Sequence, residues 1–156
     1  MVRVGAKWPG VLQRDMQAEP VQNSQAFQID PGRFREWFEA PDPEGDFEMP
    51  ALPQRIREAL GTEATLLVFS AETLAKQKAG HKDLSAENYI RVLNKVGGCD
   101  EFYDRGQSHI GLIIEAEHPY MVILKPTANR LEAYMVSLRK IEPRQVRSLR
   151  ARGKRL

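Results

Sequence analysis

The chain has 156 residues, 42% of them hydrophobic and 28% charged, with 23 basic against 21 acidic side chains. That apolar fraction and a net charge of only +2 exclude a wholly disordered chain, and the length allows one cored domain with or without an appendage. No apolar run approaches the ~20 residues that span a bilayer. Met1–Gly10 lacks the apolar stretch of a secretory signal, and a single cysteine, Cys99, excludes an internal disulfide framework.

Charge is spread unevenly. Residues 1–62 carry 7 basic and 10 acidic side chains, residues 63–138 carry 8 and 10, and residues 139–156 carry 8 basic side chains against Glu142 alone. The near-neutral total hides a cationic C-terminus, which points to a polyanion and first of all to nucleic acid.

Six of the ten prolines fall between Pro9 and Pro50, so residues 1–62 are expected as an irregular arm or docking segment. Two short helices are predicted in it. One spans Gly32–Glu39, opened by Asp30-Pro31 and stopped by Pro41, with Phe34, Trp37 and Phe38 apolar; the other spans Pro53–Leu60, stopped by Gly61. Thr65–Phe69 reads as a buried strand. Ser70 then caps a helix to Gly80, and Ser85 caps a second with Tyr89, Val92, Leu93 and Val96 apolar, closed by Gly97-Gly98. Four strands follow: Glu101–Asp104, His109–Glu117, Tyr120–Lys125 and Leu131–Ile141, with a turn at Asp104–Gln107. Pro143 begins a basic terminal helix over 143–156. The expected domain, residues 63–142, is α+β: two N-terminal helices packed on a four-stranded antiparallel sheet.

The candidate chemistry lies in two places. His81 stands in the corner Gly80-His81-Lys82-Asp83-Leu84, and histidine is the side chain most often used for general acid–base work. Lys125, Thr127, Tyr134, Ser137 and Arg139 cluster on the closing strands, where a lysine and an arginine can flank one phosphate. Strand alternation predicts Met135, Ser137 and Arg139 on one face and Tyr134, Val136 and Leu138 on the other. Arg139, Lys140, Arg144, Arg147 and Arg150 would track a nucleic-acid backbone. There is no His-x-x-x-His, no carboxylate pair at metal spacing and no Gly-rich phosphate loop, so neither metal nor cofactor is expected. His109 and His118 stand nine residues apart, too far to share an ion. Cys99 with His81 is a weaker nucleophile pair, since no cation adjoins the thiol in sequence.

The stretches LLVFSAETLAKQKAGHKDLSAENY and ILKPTANRLEAYMVSLRKIEPRQVRSL together resemble the phage nuclease domains of the barnase, EndoU, colicin and RelE class (the BECR fold) found in Mu-like phages and prophages. The resemblance runs over Leu66–Arg150. It implies a metal-independent ribonuclease fold with catalytic positions at His81, Lys125, Thr127, Ser137 and Arg139. It also implies host RNA, transfer RNA included, as substrate. Ala128-Asn129-Arg130 departs from the Gly-containing loop usual at that point. The resemblance further allows a non-catalytic alternative, a head-associated virion component that docks on capsid or portal proteins. The location implied is host cytoplasm or virion.

Overall fold

The computed structural model describes residues 27–50 and 52–156. Its elements are α1 (Pro31–Glu39), β1 (Phe47–Pro50), α2 (Gln54–Leu60), β2 (Leu66–Phe69), α3 (Ala71–Gly80), α4 (Ala86–Leu93), β3 (Phe102–Gly106), β4 (His109–Glu115), β5 (Pro119–Pro126), β6 (Ala133–Lys140) and α5 (Pro143–Arg152). One turn of 3-10 helix, Val96–Gly98, follows α4 where a longer helix was expected. Among the described residues no helix is long and apolar enough to cross a membrane.

The helix starts follow the capping chemistry. Asp30 accepts from the Gly32 and Arg33 N–H groups at 3.0 and 3.3 Å, and Pro31 gives up an N–H that no helix would use. Ser70 accepts from Thr73 N–H, and Ser85 with Asn88 forms a reciprocal capping box. Gly61 ends α2 at φ +68°, a conformation that favours glycine.

The sheet differs from expectation. It has six strands in the order β1-β2-β6-β5-β4-β3, not four. It is also mixed: β2 runs parallel to β6, and every other neighbouring pair is antiparallel. Of the two further strands, β2 is the expected Thr65–Phe69 strand, now part of the sheet, and β1, Phe-Glu-Met-Pro, is the one not expected. Its proline, Pro50, reads as a breaker, yet among the described residues β1 is an edge strand paired only with β2, where a residue without an N–H is tolerated. The parallel β2–β6 pair is non-local, closed across α3, α4 and three strands, so no local signal announces it.

The irregular arm expected at 1–62 is corrected for its described part. Phe27, Ile29, Phe34, Phe38, Phe47, Met49, Ile56 and Leu60 are all buried in the main core. Phe34 is its centre, with ring centroids 5.1–6.2 Å from Trp37, Phe38, Phe47, Phe69 and Tyr89. The aromatic side chains of this cluster come from both α1–β1 and the later β2 and α4. Residues 1–26 lie outside the described residues.

Helices α1 to α4 contribute to the core on one face of the sheet, the inner face, with Ile110, Leu112, Ile114, Tyr120, Val122, Leu124, Met135 and Leu138. A second cluster of Tyr103, Ile113, Met121, Ile141 and Val146 lies on the outer face, under α5. Beyond α5 the chain pairs with the free edge of β3: Asp104 N–H donates to Lys154 O at 2.8 Å and Leu156 N–H to Phe102 O at 3.0 Å.

Candidate nucleic-acid interface

The register of β5 and β6 decides which side chains meet. Ile123 faces Ser137, but Leu124 faces Met135, so Val136 is an extra residue in β6. The bulge reverses the alternation. Met135 and Leu138 both enter the main core, and Ser137 and Arg139 leave on the outer face without Met135. The expected grouping of Met135 with Ser137 and Arg139 is therefore corrected.

On the outer face the side chains stand in cross-strand rows. Ile113, Met121 and Arg139 form one row, Gly111, Ile123 and Ser137 the next, and Lys125, Tyr134, Val68 and Glu48 a third. Carried one residue past Ile110↔Leu124, the β4–β5 register sets His109 opposite Lys125 at the head of that third row, and the two line one groove. Directly opposed residues of this kind have Cβ atoms about 5 Å apart. The Arg105 stem lies over Gly111, close enough that a Cβ there would meet its Cγ at 3.1 Å. Helix α5 covers the first row; beyond it Gly111 and Val68 are buried, Ile123, Ser137 and Tyr134 are half-buried, and Lys125 and Glu48 are exposed.

The sequence-predicted site residues divide. Lys125, Ser137 and Arg139 share the outer face. His81 does not join them: it caps the C-terminus of α3, and α3 packs on the inner face through Leu74 and Gln77. Its neighbour Asp83 reaches Lys140 at 3.8 Å, whereas Lys125 pairs with Tyr134. Six strand residues at ~3.3 Å each put those two ends roughly 20 Å apart. His81 and Lys125 thus lie at opposite ends of β6. Thr127 holds its own loop: the hydroxyl donates to Asn129 Oδ1 at 2.7 Å and accepts from Glu132 N–H at 3.1 Å.

The basic set also divides. Arg150 is tied to Glu101 at 2.8 and 2.9 Å and to Glu115 at 2.9 Å, so it clamps α5 to β3 and β4 and is not free for a ligand. Lys140 has Asp83. Arg144 and Arg147 are exposed, with no ion pair among the described residues. Arg139 is half-buried; among the described residues its Nη2 hydrogen-bonds only Met121 Sδ, at 3.8 Å, and its buried Nε has no partner. Cys99 is buried, and burial pushes its thiol pKa up, which removes it as a nucleophile.

Two residues that sequence reasoning left aside stand out. His109 sits beside Lys125; pairing the strands about the correct hairpin turn would have found it. That turn is Gln107-Ser108, not Asp104–Gln107, with both residues at positive φ (55° and 67°) as a two-residue type I′ hairpin requires. The other is Gln77, 4% exposed. Its Nε2 donates to the Tyr89 hydroxyl at 2.8 Å and to Leu138 O at 2.7 Å, and its Oε1 accepts from Leu138 N–H at 3.3 Å. Beyond the end of β2, this one carboxamide takes the place of a strand beside β6.

No protein-family model, no curated protein and no solved structure matches the chain.

Proposed function

We propose that the chain is a metal-independent, ribonuclease-like protein that takes single-stranded RNA across the open part of the outer face. One observation carries this reading. Arg105, His109, Lys125 and Arg139 on that face, with Arg130 at its rim, form no ion pair among the described residues, although the chain as a whole is nearly neutral. The resemblance to the BECR-type domains of Mu-like phages supplies the reaction class. The RNA 2′-oxygen would bond to phosphorus as the P–O5′ bond breaks. A base would take the 2′-hydroxyl proton, and a donor would return one to the 5′-oxygen.

Binding of labelled single-stranded RNA is expected to weaken with salt. At about −0.7 per phosphate, three to five contacts give a slope of roughly −2 to −3.5 in log K against log salt. A slope near zero would remove the reading. Cleavage is expected to persist in EDTA.

A second reading is a non-catalytic module that docks on phage head or portal proteins and touches nucleic acid. It is favoured by the separation of His81 from Lys125, because a docking unit does not need the two to converge. RNA binding without cleavage in either EDTA or Mg²⁺ would select it.

A further inference from the structure

We propose that His109, rather than His81, is the proton-transfer group of this face, and that Lys125 and Arg130 hold the phosphate it acts on. This rests on the ribonuclease reading above.

The hairpin end of the sheet has a groove of about 290 Å³ lined by Ser108, His109, Lys125, Thr127 and Arg130. His109 and Lys125 arrive there as cross-strand neighbours on rigid β4 and β5. Arg130 arrives on the β5–β6 loop. Its carbonyl accepts from Glu63 N–H at 2.9 Å and from the Thr62 hydroxyl at 3.0 Å, and its Nη1 lies 3.4 Å from Leu60 O.

The imidazole is oriented for the task. His109 Nδ1 lies 3.0 Å from the Gln107 carbonyl oxygen and 3.2 Å from that of Gly106. A carbonyl can only accept, so Nδ1 carries the hydrogen and the neutral ring presents the Nε2 lone pair. This is the tautomer of a general base held by its other nitrogen.

The surrounding charges leave the groove to an anion. The carboxylates bordering His109 are Asp104 from β3 and Glu58 from α2. Asp104 accepts from Gly106 N–H at 2.8 Å and faces Lys154 at 3.8 Å, and Glu58 accepts from Gln54 at 2.9 Å. Neither pairs with Lys125 or Arg130. Among the described residues the non-glycine residues at positive φ are Gln107, Ser108 and Arg130, and all three line this groove.

In the reaction, His109 Nε2 takes the 2′-hydroxyl proton as the 2′-oxygen bonds to phosphorus and the P–O5′ bond breaks. The departing 5′-oxygen takes a proton from water, and the imidazolium returns its own to solvent. The products are a 2′,3′-cyclic phosphate and a 5′-hydroxyl. Lys125 and Arg130 neutralise the charge that grows on the phosphorane oxygens.

The test joins kinetics to imidazole NMR, both in EDTA. His109→Ala is expected to lower RNA cleavage about 10²–10⁴-fold. His109→Asn, whose amide can still donate to the hairpin carbonyls, is expected to fold normally and lose the same activity; His81→Ala is expected to keep it. Uridine 3′-monophosphate, as probe, is expected to move the His109 resonances saturably and its titration to higher pH. The double variant Lys125→Ala, Arg130→Gly is expected to abolish both effects, with glycine chosen because it relieves the positive φ at 130. Loss of cleavage in His81→Ala but not in His109→Asn would overturn the assignment and leave the ribonuclease reading intact. A probe that moves His109 in a protein that cleaves no RNA would remove the ribonuclease reading and the proton-transfer role with it. A probe that leaves His109 unmoved would overturn the phosphate site.

Discussion

At the scale of single residues, Gln77 and Arg139 show two opposite fates of a buried polar group. Gln77 spends its carboxamide on the Leu138 backbone and the Tyr89 hydroxyl, so nothing is left for a ligand. Arg139 Nε has no hydrogen-bond partner among the described residues. The two should therefore respond differently to truncation. Gln77→Leu leaves the Leu138 N–H and C=O unsatisfied inside the fold, and urea denaturation is expected to show a loss of about 2–4 kcal/mol. Neither residue's role could be read from the string. Gln77 looks like one more polar residue of a mostly polar helix, and the Arg139 environment depends on a bulge three residues earlier.

Among elements, α5 is the part whose role changed most between sequence and structure. Its start at Pro143 was legible, because proline at the first helical position uses no N–H that a helix needs. Its eight-cation neighbourhood read as a ligand track, yet Arg150 serves the fold. The Arg150 guanidinium, helped by the Tyr103 hydroxyl, holds the Glu101 carboxyl below the usual carboxylate range. A carboxyl lowered by folding stabilises the native state above its unfolded value, near ~4.3, and that contribution is lost as pH falls through the folded value. Arg150→Met removes the cause. Acid unfolding followed by circular dichroism is expected to begin at higher pH in that variant, with a loss of about 0.5–1 kcal/mol at pH 7. Tyr120 works at the other end of the scale: burial and the Glu117 carboxylate push its hydroxyl up to about 12. Stability it lends below pH ~10 is lost between that value and its folded one.

At the scale of the whole molecule, the sheet is closed by residues far apart in sequence. Strand β1 covers β2, and the Phe34 cluster joins α1 to β1, β2 and α4. Removing residues 1–62 would uncover Phe69 and Tyr89 and leave β2 an open edge. The shortened chain is expected to lose its near-ultraviolet circular dichroism and to bind a hydrophobic dye, as a chain without fixed packing does. A cooperative thermal transition like that of the full chain would show instead that residues 63–156 fold alone.

What the sequence by itself determined is local. Caps at Asp30, Ser70 and Ser85, the stop at Gly61, the apolar runs of β2, β4 and β5, and the proline start of α5 all depend on neighbours a few residues away, and the helices they mark stand close to where the pattern put them. Ser137 and Arg139 were legible as facing the same way because alternation carries two residues; that Lys125 shares their face follows from the β5–β6 register. Only the tertiary structure decided the rest: β1 as an edge strand, the parallel β2–β6 pair, the bulge at Val136, His81 at one end of β6, and His109 beside Lys125 at the other. Each depends on which distant segments pair and in what register. A one-residue shift in register turns a side chain from one face of a sheet to the other.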